Sequence, residues 1–513
     1  MTTPNPDAIG LFANASSFSV PSGTDRVQTS GYGQVGQGAA AYIADSAVNS
    51  TYVSNHPRSA FLDANGRGFR LDPEQRLTIQ MFGGKPDGVA HRTIGAYSGT
   101  AGATDNAPAL NAALALVRAN VLDNGSGTIN YYRASAEVHF PAADGVYDFQ
   151  SSVSIDTSVK LTGVSGPGAG VGGSILRWLP GMHGLIIQYA GYTWSGASTD
   201  TSTPTSFGGG STMIDGLSLY QFRDNNNYET EDYHGIFALA AVTVRNFVCS
   251  GWSGAGIYGL GGVPNSNVNN CFVENGSCYG NEHGIWVDGG DSNVWTVTRV
   301  DSSLNRGYGF FDSSFLGNTW IGCHTDGNGI AGSGAGGTVA SMCSYSGKLY
   351  YVRGNQAAAA STHAPSGTTA DNSWWGYIGA GGPDTAHPAW VSGTTFREGG
   401  AYRTDAVGAA RSLFLGCYAE GTNAASYFVY PTFVISGLMN NPMENYYASV
   451  FDNSLGLTTL TTPLGVKDSL RVDGTIVVGP RQAAIADDTS GAANQAKVNA
   501  ILAMLRAHGL IAP

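Results

Sequence analysis

NEHGIWVDGGDSNVWTVTRVDSSLNRGYGFFDSS, residues 281–314, holds two copies of one short pattern. A glycine stands before two large apolar residues in His283-Gly284-Ile285-Trp286 and again in Tyr308-Gly309-Phe310-Phe311. Working outward, the pattern recurs at His234-Gly235-Ile236-Phe237 and Ala255-Gly256-Ile257-Tyr258, so the four glycines are 21, 28 and 25 residues apart. Between and after them lie further β-like runs, VTVRNFVCS, NVNNCFVEN, NVWTVTRVD and NTWIGCHTD, each ending in a polar turn. Short strands at this spacing, without a helix, predict a β-solenoid, in which no coil buries its own apolar face and each stacks on the next at about 4.8 Å. Propeller blades repeat at about 40–50 residues, which this spacing does not match. Two packed antiparallel sheets are the structural alternative.

Composition narrows the function. The chain has 513 residues and a net charge of −12, from 25 Lys and Arg against 37 Asp and Glu. No basic surplus is available to grip a phosphate backbone, which argues against a nucleic-acid partner. Only 12% of residues are charged, about half the usual share, while 42% are hydrophobic, enough for a large core. No apolar run approaches the roughly 20 residues of a membrane span, so no membrane partner is expected. The first 18 residues lack a basic region and a continuous apolar stretch, so no signal peptide is visible. Six cysteines, Cys249, Cys271, Cys278, Cys323, Cys343 and Cys417, form no CxxC pair and read as buried reduced thiols.

Upstream of the repeats there is one clear helix signal. Thr104 or Asp105 is placed to cap a helix over about 106–118, with Ala109, Leu110, Ala113, Leu114 and Val117 as its apolar stripe. Such a helix would plug the open end of a solenoid. The preceding Phe82-Gly83-Gly84-Lys85-Pro86-Asp87-Gly88, taken with Thr104-Asp105-Asn106-Ala107-Pro108-Ala109-Leu110, resembles the opening of the pectate-lyase-like right-handed parallel β-helix superfamily. Glu137-Val138-His139-Phe140-Pro141, Tyr147 and Leu161-Thr162-Gly163 resemble its next strands. Lys85-Pro86 and an insert at 89–103 depart from that pattern. More narrowly, Thr29-Ser30-Gly31-Tyr32, Ala60-Phe61-Leu62-Asp63-Ala64 and the end from Val477 to Ile511 resemble bacteriophage tailspikes and prophage polysaccharide depolymerases.

The resemblance implies an all-β chain. A right-handed single-stranded parallel β-helix would cover 76–455, with an N-terminal capping helix and a long insert at about 328–390. A small adapter-like β domain would occupy 1–75, and C-terminal strands with a short oligomerisation helix 456–513. It also implies a homotrimer, attachment to a virion tail through the N-terminal region, and a location on the virion tail or outside the cell. The C-terminal helix carries Val498, Ile501, Leu502 and Leu505 at helical spacing, with Gly509 as its C-cap.

A second repeat points to chemistry. Trp320-Ile321-Gly322-Cys323-His324-Thr325-Asp326-Gly327 matches Phe414-Leu415-Gly416-Cys417-Tyr418-Ala419-Glu420-Gly421 position by position, 94 residues later. Thr395-Phe396-Arg397-Glu398-Gly399 reads as a shorter copy and Phe272-Val273-Glu274-Asn275 as an earlier one. On one strand of successive coils, Asp326, Glu398 and Glu420 would form a ladder, about 5 Å apart on neighbouring rungs and about 10 Å on alternate ones. Paired carboxylates suit a retaining glycosidase at about 5–5.5 Å and an inverting one at about 6.5–9.5 Å. With backbone oxygens they could instead hold Ca²⁺ for β-elimination at a uronate. Otherwise no cofactor and no metal site is expected. His324, Arg397 and Tyr418 share these coils and could orient substrate. As turn residues, the same acids could merely accept backbone N–H bonds.

Asp288 and Asp291, in a Gly-rich turn beside His283, are a competing acid pair. The insert offers Trp374 and Trp375 for stacking on sugar rings and Lys348 and Arg353 for a uronate, or else the tryptophans anchor the loop. The expected function is a depolymerase of bacterial surface or exopolysaccharide, a glycoside hydrolase ahead of a polysaccharide lyase. A non-catalytic receptor-binding tail component is the rival on the same fold.

Overall fold

The computed structural model describes residues 8–89, 102–119, 121–123, 130–132, 137–164, 173–189, 212–221, 233–262, 266–329, 342–352, 357–370, 372–380, 382, 389–393, 400–404, 412–420, 427–428, 433–435, 470–472, 475–478 and 491–507. Two long sheets dominate. Every strand pairing in them is parallel. The chain is a parallel β-helix.

The register resolves three faces. Face A runs from Leu77–Thr78 through Glu137–His139, Lys160–Thr162 and Thr212–Asp215 to Thr319–Ile321, Leu413–Leu415 and Phe433–Ile435. Face B runs from Tyr147–Phe149 through Ile175–Trp178 and Ser218–Gln221 to His324–Asp326 and Tyr418–Glu420. Face C runs from Val153–Ile155 to Tyr427–Phe428 through Leu185–Ile187, Ile236–Ala238, Ala255–Gly261, His283–Gly289, Tyr308–Ser314 and Gly400–Thr404. Three long strands, Val242–Ser250, Phe272–Tyr279 and Thr296–Ser303, serve both A and B. A left-handed residue bends each of them midway: Asn246, Asn275 and Arg299, at φ 49, 52 and 52°.

The glycine of the repeat is required by coil stacking. A Cβ on Gly184, Gly235, Gly256 or Gly284 would fall 2.3, 2.6, 3.0 or 2.4 Å from a carbonyl oxygen of the next coil. The isoleucine after it is core: Ile236, Ile257, Ile285 and then Phe310 and Tyr402 are register partners and all buried. Beneath face A, Val244, Val273, Val297, Trp320 and Phe414 form the matching interior stack. At about 25 cal/mol per Å², such continuous apolar burial is what holds the coils together.

At the N-terminal end of the solenoid, helix Ala107–Ala119 buries Ala109, Leu110, Ala113, Leu114 and Val117, the stripe read from the sequence. Asp105 Oδ1 accepts from the Ala107 N–H at 3.0 Å. The buried Asn106 explains the neighbouring motif: its amide donates to the carbonyls of Lys85, Thr104 and Asp148, and its Oδ1 accepts from Lys85 N–H at 2.7 Å. Asp87 accepts from both the N–H and hydroxyl of Thr104. The Gly-Gly-Lys-Pro-Asp turn is thus the clamp on the cap helix.

Residues 8–71 contain a five-stranded sheet, antiparallel apart from one parallel pair, Ala8–Leu11 with Arg26–Gly31. All six cysteines are free and buried; Cys249 and Cys278 are register partners inside the solenoid. The stretch from 436 to 469, which carries the expected C-terminal end of the solenoid at 455, lies outside the described residues. In the separate unit Val450–Pro513, Leu470–Val472 pairs with Thr475–Val478, and helix Gly491–Ala507 leaves Val498 and Ile501 exposed.

The insert is more than a loop. Met342–Tyr345, Lys348–Val352 and Trp375–Ala380 form an antiparallel sheet around its own small core of Cys343, Tyr350, Val352, Ala360 and Trp375. Sequence texture hides this sheet because its strands lack the coil period of the solenoid.

Candidate functional site on face B

The outward side of face B gathers the chemistry. In a parallel strand alternate residues point outward, and here the inward positions are Cys278, Ser302, Thr325 and Ala419, all buried. The outward positions on the last described coils are Asp301 and Ser303, then His324 and Asp326. Tyr418 and Glu420 follow in direct register, His324 with Tyr418 and Asp326 with Glu420. The 94-residue repeat therefore spans one coil, and its two acids occupy adjacent rungs, about 4.8 Å apart along the solenoid.

Local bonds fix this patch. His324 Nδ1 lies 3.2 Å from Asp301 Oδ1. Its ring stacks on Tyr418 with centroids 5.5 Å apart and planes 13° from parallel. Ser303 donates its hydroxyl to Asp301, and the Asp326 N–H donates to Ser303 Oγ at 3.1 Å. The Asp326 carboxyl group, half-buried, has no hydrogen bond or ion pair with any described residue. The turn-acceptor reading of this acid accordingly finds no support. Asp301 and Ser303 are the residues sequence reading missed; their signal was register with His324, visible only once the coils are aligned.

No family model matches the chain, and no curated protein sequence matches it. Among solved structures it is similar to the tailspike gp42 of Acinetobacter phage vb_AbaP_AS12, at 11% identity and a TM-score of 0.43, over 84% of this chain and 57% of that one. It is similar to tailspike gp49 of Acinetobacter baumannii bacteriophage Fri1, a capsular polysaccharide depolymerase, at 10% identity and 0.47, over 84% and 70%. It is also similar to the A-module of the Azotobacter vinelandii mannuronan C-5 epimerase AlgE4, at 13% and 0.22, over 70% and 96%. The chain spans little more than half of the first of these. The parallel β-helix expected from the sequence stands on the strand register.

The other expected residues distribute as follows. Arg353, Arg397 and Glu398 lie outside the described residues. The three-rung acid ladder is corrected, because Asp326 pairs directly with Glu420. The strand after Glu398, Gly400–Thr404, belongs to face C instead. Glu274 is corrected too: it lies on face A in the column of Thr298, Ile321 and Leu415, and pairs with Arg245 at 2.9 Å.

Trp375 is fully buried in the insert core and donates Nε1–H to the His363 carbonyl at 2.6 Å, so it anchors the insert and offers no sugar platform. Trp374, half-buried, stacks on His363 with centroids 4.0 Å apart. Lys348 sits at the hairpin turn, its Nζ 3.5 Å from the Ser346 carbonyl.

Asp288 and Asp291, the competing pair, differ in setting. Asp288 lies on face C, accepting from Tyr258 Oη–H at 3.0 Å and Ser313 Oγ–H at 2.7 Å, while Asp291 is exposed in the following turn. His283 is a coil-stacking residue: its Nδ1 accepts from the Tyr308 N–H at 2.9 Å. His183 and His234 occupy the same column and do likewise, accepting from the His234 and Ala255 N–H groups at 3.1 and 2.9 Å. Burial pushes His183 down to about 4 and holds His234 well below the ordinary histidine range. Among the described residues no group of three or more His, Cys, Asp or Glu side chains could hold a metal.

Proposed function

We propose that the protein is a depolymerase of a bacterial surface or exopolysaccharide, with the glycan lying along face B across the Asp326 and Glu420 rungs. The observation that carries this reading is the adjacent-rung register of two acids beside a histidine–carboxylate pair and an outward tyrosine. Adjacent rungs favour the closer carboxylate spacing, that of a retaining glycoside hydrolase, over the wider one. In this mechanism one acid protonates the leaving oxygen and its neighbour attacks or stabilises the developing positive charge at the anomeric carbon. His324, held by Asp301 and Tyr418, orients the sugar.

The lyase reading is kept for one reason: His324 on a carboxylate is also a base able to take a proton next to a uronate carboxyl group. In that case Ca²⁺ is the cofactor expected; the hydrolase needs none. The non-catalytic tail component remains the alternative of a different class. We also propose a homotrimer joined through residues 482–513, supported by the exposed Val498 and Ile501, and a place on a virion tail attached through the N-terminal region.

The test is incubation with a panel of purified bacterial exopolysaccharides. New reducing ends with falling chain length support the hydrolase. Unsaturated-uronate absorbance that vanishes with chelator supports the lyase. Binding without shortening supports the tail component. Light scattering on the intact chain reads the trimer, and a monodisperse monomer rejects it.

A further inference from the structure

The corners of the solenoid form columns in which one residue per coil adopts left-handed backbone. Between faces A and B that column reads Gly216, Asn246, Asn275, Arg299, Gly322 and Gly416. Between B and C it reads Gly251, Gly280, Leu304 and Gly327. Between C and A it reads Asn270, Val294 and Gly317. Glycine adopts this conformation without a Cβ clash and asparagine tolerates it, whereas branched and long side chains are strained there. Within the described solenoid the exceptions are Val294 at φ 60°, Arg299 at 52° and Leu304 at 56°, and all three fall on one coil.

That coil carries Asp301 and Ser303 and lies directly against the His324–Asp326 rung. Packing does not offset the strain, since Val294 and Leu304 are 59% and 64% exposed and Arg299 is exposed as well. Strain that the fold itself does not require concentrates at functional sites.

Among the described arginines of the solenoid, Arg299 also stands apart in charge. Arg76, Arg118, Arg177, Arg245 and Arg306 each hold a carboxylate, whereas Arg299 pairs with none among the described residues. Its Cγ is 3.9 Å from where a Cβ on Gly322 would stand, so the side chain leans over the corner of the next rung, two residues before His324. A free guanidinium at the edge of a surface lined with acids, on a chain of net charge −12, is a selective seat for one anionic group.

We infer that Arg299 binds the carboxylate of a uronic-acid residue in a polysaccharide lying along face B, which makes the substrate class an acidic glycan. The inference rests on the part of the proposed function that lays the glycan along face B. It is tested by native affinity electrophoresis of the full chain through gels containing polygalacturonate, alginate or neutral dextran. We expect retardation by at least one uronate glycan and none by dextran. Arg299→Gly should weaken it at least tenfold, Arg299→Lys should keep part of it, and Arg299→Gly should melt no lower than the parent. Retardation of Arg299→Gly equal to the parent's, retardation by dextran alone, or none by either uronate glycan overturns the inference. So does loss of retardation accompanied by a lower melting temperature or an altered oligomeric state, which would assign Arg299 to folding or to contacts between copies. A protein retarded through Arg299 that shortens no polysaccharide would leave this inference standing and remove the depolymerase reading.

Discussion

Faces B and C use histidine in opposite ways. On face C, His183, His234 and His283 each turn Nδ1 to a backbone N–H of the next coil, and their rings lie among Tyr233, Phe237, Tyr258 and Tyr308. On face B, His324 faces a carboxylate and stacks on a tyrosine beside a carboxyl group that has no described partner. The former are coil-stacking elements that need an uncharged ring. The latter turns its Nδ1 to the Asp301 carboxylate instead. Residue type alone therefore does not mark a site; what the ring nitrogen faces does.

This contrast can be broken by substitution. The largest expected effect is on turnover: Asp326→Asn and Glu420→Gln should each lower depolymerisation by about a thousandfold with the melting temperature unchanged. His324→Gln should cost about tenfold to a hundredfold, again without loss of stability. His234→Ala should do the reverse, leaving the Ala255 N–H unsatisfied and a cavity among the aromatic rings, at about 3 kcal/mol of stability.

The acid limb of the stability profile sharpens the same point. Histidine in the unfolded chain takes up its proton near 6.5, whereas His183 does so only near 4. The unfolded chain therefore binds the extra proton between those values, so stability present above pH 6.5 is lost as pH falls toward 4. Urea midpoints measured from pH 7 to 4 should drop, and replacing His183 with Asn should flatten the slope. The smallest effect belongs to the strained coil: Leu304→Gly should raise stability by about 1 kcal/mol, read as a higher melting temperature.

Much of this was legible in the chain. The Gly-Ile-aromatic period marks the solenoid because Gly284 and its equivalents must clear the carbonyl of the next coil. The match of 320–327 to 414–421 gave the register of Asp326 and Glu420, since both stand six residues after the paired Trp320 and Phe414. Glu398 misled because the residues between the two copies contain a separate antiparallel sheet and a face C strand, which the spacing of acids does not reveal. Trp375 misled because a small sheet core demands an aromatic as firmly as a sugar does. Arg299 and Leu304 were silent: neither carries a turn signal, and their oddity emerges only when their columns are filled with Gly and Asn.

The central claim, that face B does the chemistry and face C the stacking, is most directly tested by comparing Asp326→Asn with Asp288→Asn on the exopolysaccharide that the parent shortens. Release of reducing ends should fall about a thousandfold for Asp326→Asn and stay within about twofold of the parent for Asp288→Asn. Near-normal release by Asp326→Asn, with release lost in Asp288→Asn, would contradict the account and move the site to face C.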